Sequence, residues 1–249
     1  MGPNFYLRSL LLLPLPLFLH AQERVSDGLM SLYTFHEGGG QFIQDVSGVG
    51  SPLLLSINDP TTVEWIPGGG INVQQTSLIQ SLANANKIGE ACQISNEISL
   101  EMWVVPANST QDGPCRMMTI SNGINDRNCM LGQKNSRFIS RVRTTSTNAN
   151  GIPNLETSSN TASPVLQHIV YTLAANGEEK MYVNNALVAS GTRLGTFDNW
   201  NLNSETALIS ALNNWLSLKA SYVIKYDNDP VDALKKADKI LGVALVANF

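Results

Sequence analysis

The sequence predicts an all-β protein, a sandwich or barrel of antiparallel strands. Three observations carry this. About a dozen short apolar runs recur at roughly 8–14-residue spacing with turn residues between them. Residues 97–105 alternate in burial preference: Ile98, Leu100, Met102 and Val104 on one side, Ser99, Glu101, Trp103 and Val105 on the other. Residues 168–191, "HIVYTLAANGEEKMYVNNALVASG", place two Asn-centred turns between three such runs.

The chain is 249 residues long. Its first 21 residues hold Arg8, an apolar run from Leu10 to Leu19 and small Ala21 before Gln22, the layout of a secretory signal peptide. The run is short for a membrane helix and carries Pro14 and Pro16. Residues 22–249 are expected to form one domain, with no transmembrane segment in the mature chain. Removing residues 1–21 takes away Arg8 and no acid, so the formal charge moves from −4 to −5. That mild acidity argues against nucleic-acid binding, which wants a basic domain. Charged residues make up 14%, leaving a polar, weakly charged surface suited to an extracellular setting. The expected location is secreted or extracellular, or the periplasm or cell surface in a bacterium.

Along the chain, "LMSLYTFH" (29–36) reads as a strand broken by "EGGG". "LLLSI", "TVEWI" and "INV" are short apolar runs. Residues 77–88 have near-helical spacing and predict a short surface helix. "EISLEMWVVP" is a strand ended by Pro106. "CRMMTIS", "NCMLGQ" and "SRFISRVRTT" follow as strands, and 146–164 is a polar loop. In the 168–191 segment, Asn176–Gly177 and Asn184–Asn185 are two-residue turns, where Asn and Gly tolerate positive φ. An Asn-rich loop is expected at 198–205, then strands "TALISAL" and "ASYVIKYD". Pro230, with Asp229 as N-cap, opens a predicted helix. The apolar end "LGVALVANF" suits a last strand or a partner contact.

Four pieces together resemble the laminin G-like family of concanavalin A-like jelly rolls: "GLMSLYTFHEGGGQFIQDVSGVG", "EISLEMWVVPAN", the 168–191 meander and "SYVIKYDNDPVDALKKA". The likeness spans about residues 28–240. It implies a two-sheet jelly-roll β-sandwich with short surface helices, extracellular use, glycan or protein binding, and in some relatives calcium (Ca2+). The chain departs from the family in its cysteine pattern, in Asn185 where Gly is usual, and in its apolar end.

Catalytic constellations are sparse. Retaining glycosidases need two carboxylates ~5 Å apart. Glu97 and Glu101 sit ~13 Å apart along a strand. Histidine is present only at positions 20, 36 and 168, and no G-x-S-x-G elbow occurs. His168 is expected to be a hydrogen-bonded structural residue. The expectation is a non-catalytic protein that binds carbohydrate or an extracellular-matrix ligand. A structural or adhesive module contacting another protein, through a sheet edge or the apolar end, is the alternative; a glycoside hydrolase relative ranks below both.

Several residues could carry binding. Between Arg116 and Arg143 there are six basic residues and one acid, Asp126. Arg137, Arg141 and Arg143 alternate, which points them to one side of a strand, where guanidinium forks would take sulfate or carboxylate. The bland reading is a solvated face paired with neighbouring acids. Trp200 is the candidate sugar platform, while Trp103 and Trp215 are expected in the core. Asp45, with Asp227 and Asp229, is either a calcium set or, for Asp45, an Asx turn in its own loop. Cys115 and Cys129 flank a strand–turn–strand and either form a cross-strand bridge or stay unpaired with Cys92. Asn108 in "NST" is an accessible glycosylation acceptor in a eukaryotic host.

Overall fold

A computed structural model describes residues 26–197, 201–211, 216–227 and 237–247. The leader 1–21, Trp200, Trp215, Asp229 and the start of the helix expected from Pro230 lie outside the described residues; where the expected helix end is described, from Ala237 onward, the chain is strand instead. The structure is predominantly β, built from several antiparallel sheets, and none formed by the described residues closes.

The first unit holds β1 (Phe42–Ile43), β2 (Leu55–Ile57), β3 (Val63–Trp65), β4 (Ile71–Val73) and β5 (Ile79–Ser81). They pair as β1-β2-β5 and β3-β4. Ile43, Ile57 and Val63 form a small core with Tyr33, Phe35 and Trp65 against them. Residues 29–36, expected as a strand, join no ladder. Their backbone is held singly instead: Val46 N donates to Leu32 O at 2.8 Å and Gly70 N to Phe35 O at 3.0 Å. The helix expected at 77–88 is replaced by β5 and then α1 (Asn86–Ser95). The boundary moved because Leu78 and Leu82 are exposed, so their spacing marks no buried helical face.

β6 (Ile98–Val104), β11 (Gln167–Leu173), β12 (Glu178–Val183) and β13 (Ala186–Thr192) make a four-stranded sheet in the order β13-β12-β11-β6. β7 (Gln111–Ser121), β8 (Arg127–Asn135), β9 (Arg137–Val142) and β10 (Leu155–Glu156) make a second, in the order β10-β9-β8-β7. One core cluster draws on both: Ile98, Leu100, Ile169, Tyr171 and Met181 from the first, Cys129, Leu131, Phe138 and Val142 from the second. Strict alternation in β11 reads buried at every other residue, as a sheet with one apolar face requires.

The two hairpin turns use different chemistry. Asn184 and Asn185 both have positive φ, 49° and 67°, the type I′ pattern. At Asn176–Gly177 only Gly177 does, at 83°. Gly177 N donates to Ala174 O and Ala174 N to Glu178 O. This is a three-residue loop with a left-handed glycine, not the expected two-residue turn. A Cβ on Gly177 would meet Arg193 O at 2.5 Å, so the position demands glycine.

β14 (Asn201–Ala211), β15 (Leu216–Asp227) and β16 (Ala237–Ala247) form a further sheet. The loop expected at 198–205 is therefore strand from Asn201 onward, and the apolar end does form a last strand. In β15 the even positions are Leu216, Leu218, Ala220, Tyr222, Ile224 and Tyr226, and the odd ones mostly polar. Leu218, Tyr222, Leu241 and Val243 are all exposed.

Candidate functional site

Parity in β6 sends Ile98 and Leu100 inward and Glu101, Trp103 and Val105 outward. Trp103, expected in the core, is 62% exposed. The reason is that its strand position falls on the outer side, and strand parity outranks the general preference of tryptophan for burial. Register places His168 of β11 directly opposite Trp103, and Val170 opposite Glu101. The indole and imidazole stack at a centroid distance of 4.5 Å and an interplanar angle of 20°. His168 Nε2 lies 2.9 Å from Glu101 Oε1, and His168 N donates to Asn184 Oδ1 at 2.9 Å. The type I′ turn thus holds the histidine, and the histidine holds the tryptophan.

Around this pair, Val105, Leu166 and Leu187 are more than half exposed, and Tyr182 lies across from Val170. The arrangement is an exposed indole, one face of it stacked on the imidazole, with an adjoining carboxylate acceptor. Chemically it can pack against the apolar face of a sugar ring while Glu101 accepts hydrogen bonds from hydroxyls. The register partner of Glu101 is Val170, not a second carboxylate; Glu97 Oε1 accepts from Ala175 N at 3.3 Å.

The arginines expected as an exposed stripe are turned onto loop acceptors. Arg141 is 9% exposed and donates from Nε to Asn154 Oδ1 at 2.7 Å and from Nη1 to Asn150 Oδ1 at 3.1 Å. Arg143 is 4% exposed and pairs with Asp126 at 2.8 Å. Arg137 keeps a half-exposed side chain, donates to Ser159 Oγ and lies 3.9 Å from Glu156. The stripe is not one open surface, because the loop after β9 folds back over that side of the sheet.

Asp45 is buried at the first unit's edge. Its oxygens accept from Leu32 N, Ser47 N, Leu53 N and Ser31 Oγ, and Lys87 Nζ lies 2.6 Å away. Burial alone would raise its pKa, but Lys87 and these backbone donors outweigh it and hold the carboxyl well below the usual range. The contact with Ser47 N is the expected Asx turn. A cation here would have to displace Lys87, and among the described residues no three His, Cys, Asp or Glu side chains cluster as a metal site. Asp227 ends β15 and pairs in register with Asn201.

The Cys115–Cys129 bridge does not form. Bulges shift the β7–β8 register so that Cys115 pairs with Gln133 and Cys129 with Ile120. Cys92, Cys115 and Cys129 are all free thiols. Asn108 is exposed, its Oδ1 accepting from Thr110 N at 2.9 Å.

Sequence reading missed a buried ion pair. Glu179 and Arg193 are 5% and 4% exposed. Arg193 Nε donates to Glu179 Oε2 at 3.0 Å, and its other nitrogens donate to the carbonyls of Val142, Gly151 and Pro153. Tyr171 Oη donates to Glu179 Oε2 at 2.9 Å. Parity could have shown it, since Glu179 occupies the inward register of β12 with Met181 and Val183. A cavity of about 200 Å³ beside the pair is lined by Ser146, Thr147, Pro153, Thr192 and Leu194. It is below the ~300 Å³ at which small-molecule sites begin, and Arg193 beside it already donates to Glu179 and to backbone carbonyls.

Comparison with known proteins matches residues 143–249 to the family described as "Protein of unknown function, DUF481". That match overturns the expected laminin G-like assignment. Alternating strands, Asn/Gly corners and an Asx-capped loop are demanded by any antiparallel sheet, so those motifs carried fold chemistry rather than kinship. No curated protein and no solved structure matches the chain.

Proposed function

We propose that the protein is a secreted, non-catalytic module that binds carbohydrate on the outer face of the sheet containing Trp103. The observation that carries this reading is Trp103 itself, 62% exposed and stacked at 4.5 Å on a histidine anchored to Glu101. A large aromatic left in water beside fixed polar groups forgoes burial worth ~1.5–3 kcal/mol, which a ligand can recover. The two four-stranded sheets act as a β-sandwich scaffold that carries the platform. The leader-like first residues and the weakly charged composition suit a place outside the cytoplasm. Titration of immobilised oligosaccharides with the wild-type protein and Trp103→Ala tests it. Binding should weaken at least about tenfold, ~1.4 kcal/mol, in the variant. Equal binding by both proteins removes the platform from the account.

A second reading, an adhesive module, is favoured by the sheet β14-β15-β16. Leu218, Tyr222, Leu241 and Val243 expose apolar surface there, and β14 and β16 are the outer strands of the sheet among the described residues. Its partner would be a β-rich protein surface that adds a layer over this face. Leu241→Lys with Val243→Lys should abolish such association in sedimentation; unchanged sedimentation discards the reading.

A further inference from the structure

The sheet β10-β9-β8-β7 brings several arginines together, and at Arg127 no described acid makes an ion pair. Arg127, at the start of β8, is 3% exposed. Its Nη2 donates to the carbonyl of Ile124, and Arg116 Nη2 donates to the same carbonyl at 2.7 Å. Two guanidinium groups therefore converge on one neutral oxygen. Among the described residues, Arg127 Nη1 finds only Met130 Sδ, at 2.9 Å, and its buried Nε meets no acceptor. Arg141, whose register partner is Met130, donates to the amide oxygens of Asn150 and Asn154.

Among the described residues two acids lie near these arginines, and Glu156 acts on Arg141 only through space, with no hydrogen bond to it. Asp126 holds Arg143 at 2.8 Å, and Glu156 accepts from Asn154 Nδ2 at 2.7 Å while lying 3.9 Å from Arg137. Burial, with the like charges of Arg116 and Arg141, brings Arg127 down to about 10. A buried cation is ordinarily paired, because desolvation without an opposite charge is costly. A thioether is a weak acceptor for a charged donor, and an oxyanion a strong one. Half-exposed Arg116 and the exposed Ile124 mark where a small ion would enter.

We infer that Arg116, Arg127 and Arg141 form an anion site that takes a carboxylate or sulfate group. It lies on a different sheet from Trp103 and does not depend on the carbohydrate reading. Two sources share this chemistry: a free inorganic anion, and an acidic sugar bearing uronate or sulfate.

Calorimetric titration of the full chain with sodium sulfate, glucuronate and a sulfated oligosaccharide, at ionic strength matched by sodium chloride, tests the site. The wild-type protein should bind sulfate saturably. Arg116→Gln should weaken that binding at least tenfold and Arg127→Met abolish it. Where Arg127→Met fails to fold, Arg116→Gln and Arg141→Gln carry the test. Trp103→Ala should leave sulfate affinity unchanged, which separates failure of this site from failure of the sugar platform. An oligosaccharide at least tenfold tighter than sulfate identifies the sugar-borne group, and equal affinities identify the free ion; either outcome sustains the site. Sulfate also stabilises proteins without binding, so non-saturating heats, or binding equal in wild type and Arg116→Gln, would overturn the inference.

Discussion

Glu179 of β12 and Arg193, the residue after β13, face each other in the interior, Oε2 3.0 Å from Nε and Oε1 3.3 Å from Nη2. Register sets this contact: Glu179 pairs with Gly191, two residues before the arginine. The absence of a side chain at Gly191 leaves room, since a Cβ there would approach Glu179 Oε1 to 3.3 Å. Through Arg193 the pair also ties the first large sheet to the carbonyls of Val142, Gly151 and Pro153. Removing one partner strands the other charge. Arg193→Met should cost ~3–5 kcal/mol, and Tyr171→Phe about 1 kcal/mol. Urea midpoints measure both, and a change below 1 kcal/mol for Arg193→Met would show that the pair is not closed to water.

Thiol reactivity should be uneven. Burial pushes the Cys92 and Cys129 thiols up to about 12, while Cys115 is exposed. A thiol-selective reagent at neutral pH should label one cysteine, Cys115, in the folded protein and all three after unfolding. Protection of Cys115 and Cys129 together, reversed by a reductant, would instead reveal the bridge that the register forbids.

Asp45 makes stability depend on acid. Its folded pKa is depressed, so its contribution is complete above the unfolded carboxylate value of ~3.9 and disappears as pH falls toward the folded value. The difference in urea midpoint between wild type and Asp45→Asn should be constant from neutral pH to about 5 and shrink below ~4. Lys87→Met should reduce it at every pH above that window. A difference that grows on acidification would reverse the sign of the argument.

The turn at Asn184–Asn185 predicts a graded series. With φ at 67°, Asn185→Gly should be neutral or mildly stabilising, and Asn185→Val should cost ~1–2 kcal/mol. Thermal denaturation of both variants checks it.

Much of the fold was legible because parity is a local property. The strand Ile98–Val104 and the three-strand run from Gln167 to Thr192 follow from alternation and turn residues alone. Residues 29–36 alternate equally well, yet join no ladder, because pairing needs a partner strand that composition does not announce. The candidate site was half legible. Parity places Trp103 and Glu101 on one side, and it outranks the general preference of tryptophan for burial. His168 was read as a structural histidine, and its bond to Glu101 agrees. The pairing of the arginines with acids holds for Arg143–Asp126 and Arg137–Glu156, but their exposure does not, because nothing local reveals that the segment after Val142 folds back to supply Asn150 and Asn154. Arg116 and Arg127 share one carbonyl only through the Asn122–Asp126 turn, which periodicity does not fix. The family assignment failed for the same reason that the fold reading worked: the motifs were those of any antiparallel sheet.

The platform can be watched directly through its indole. In a protein with 15N-labelled tryptophan, four side-chain N–H signals are expected, and Trp103→Phe assigns one of them. Titration with the best-binding oligosaccharide should shift the Trp103 signal and the His168 ring resonances saturably, with the Trp65 signal stationary. Saturable binding that leaves Trp103 and His168 unmoved would contradict the account.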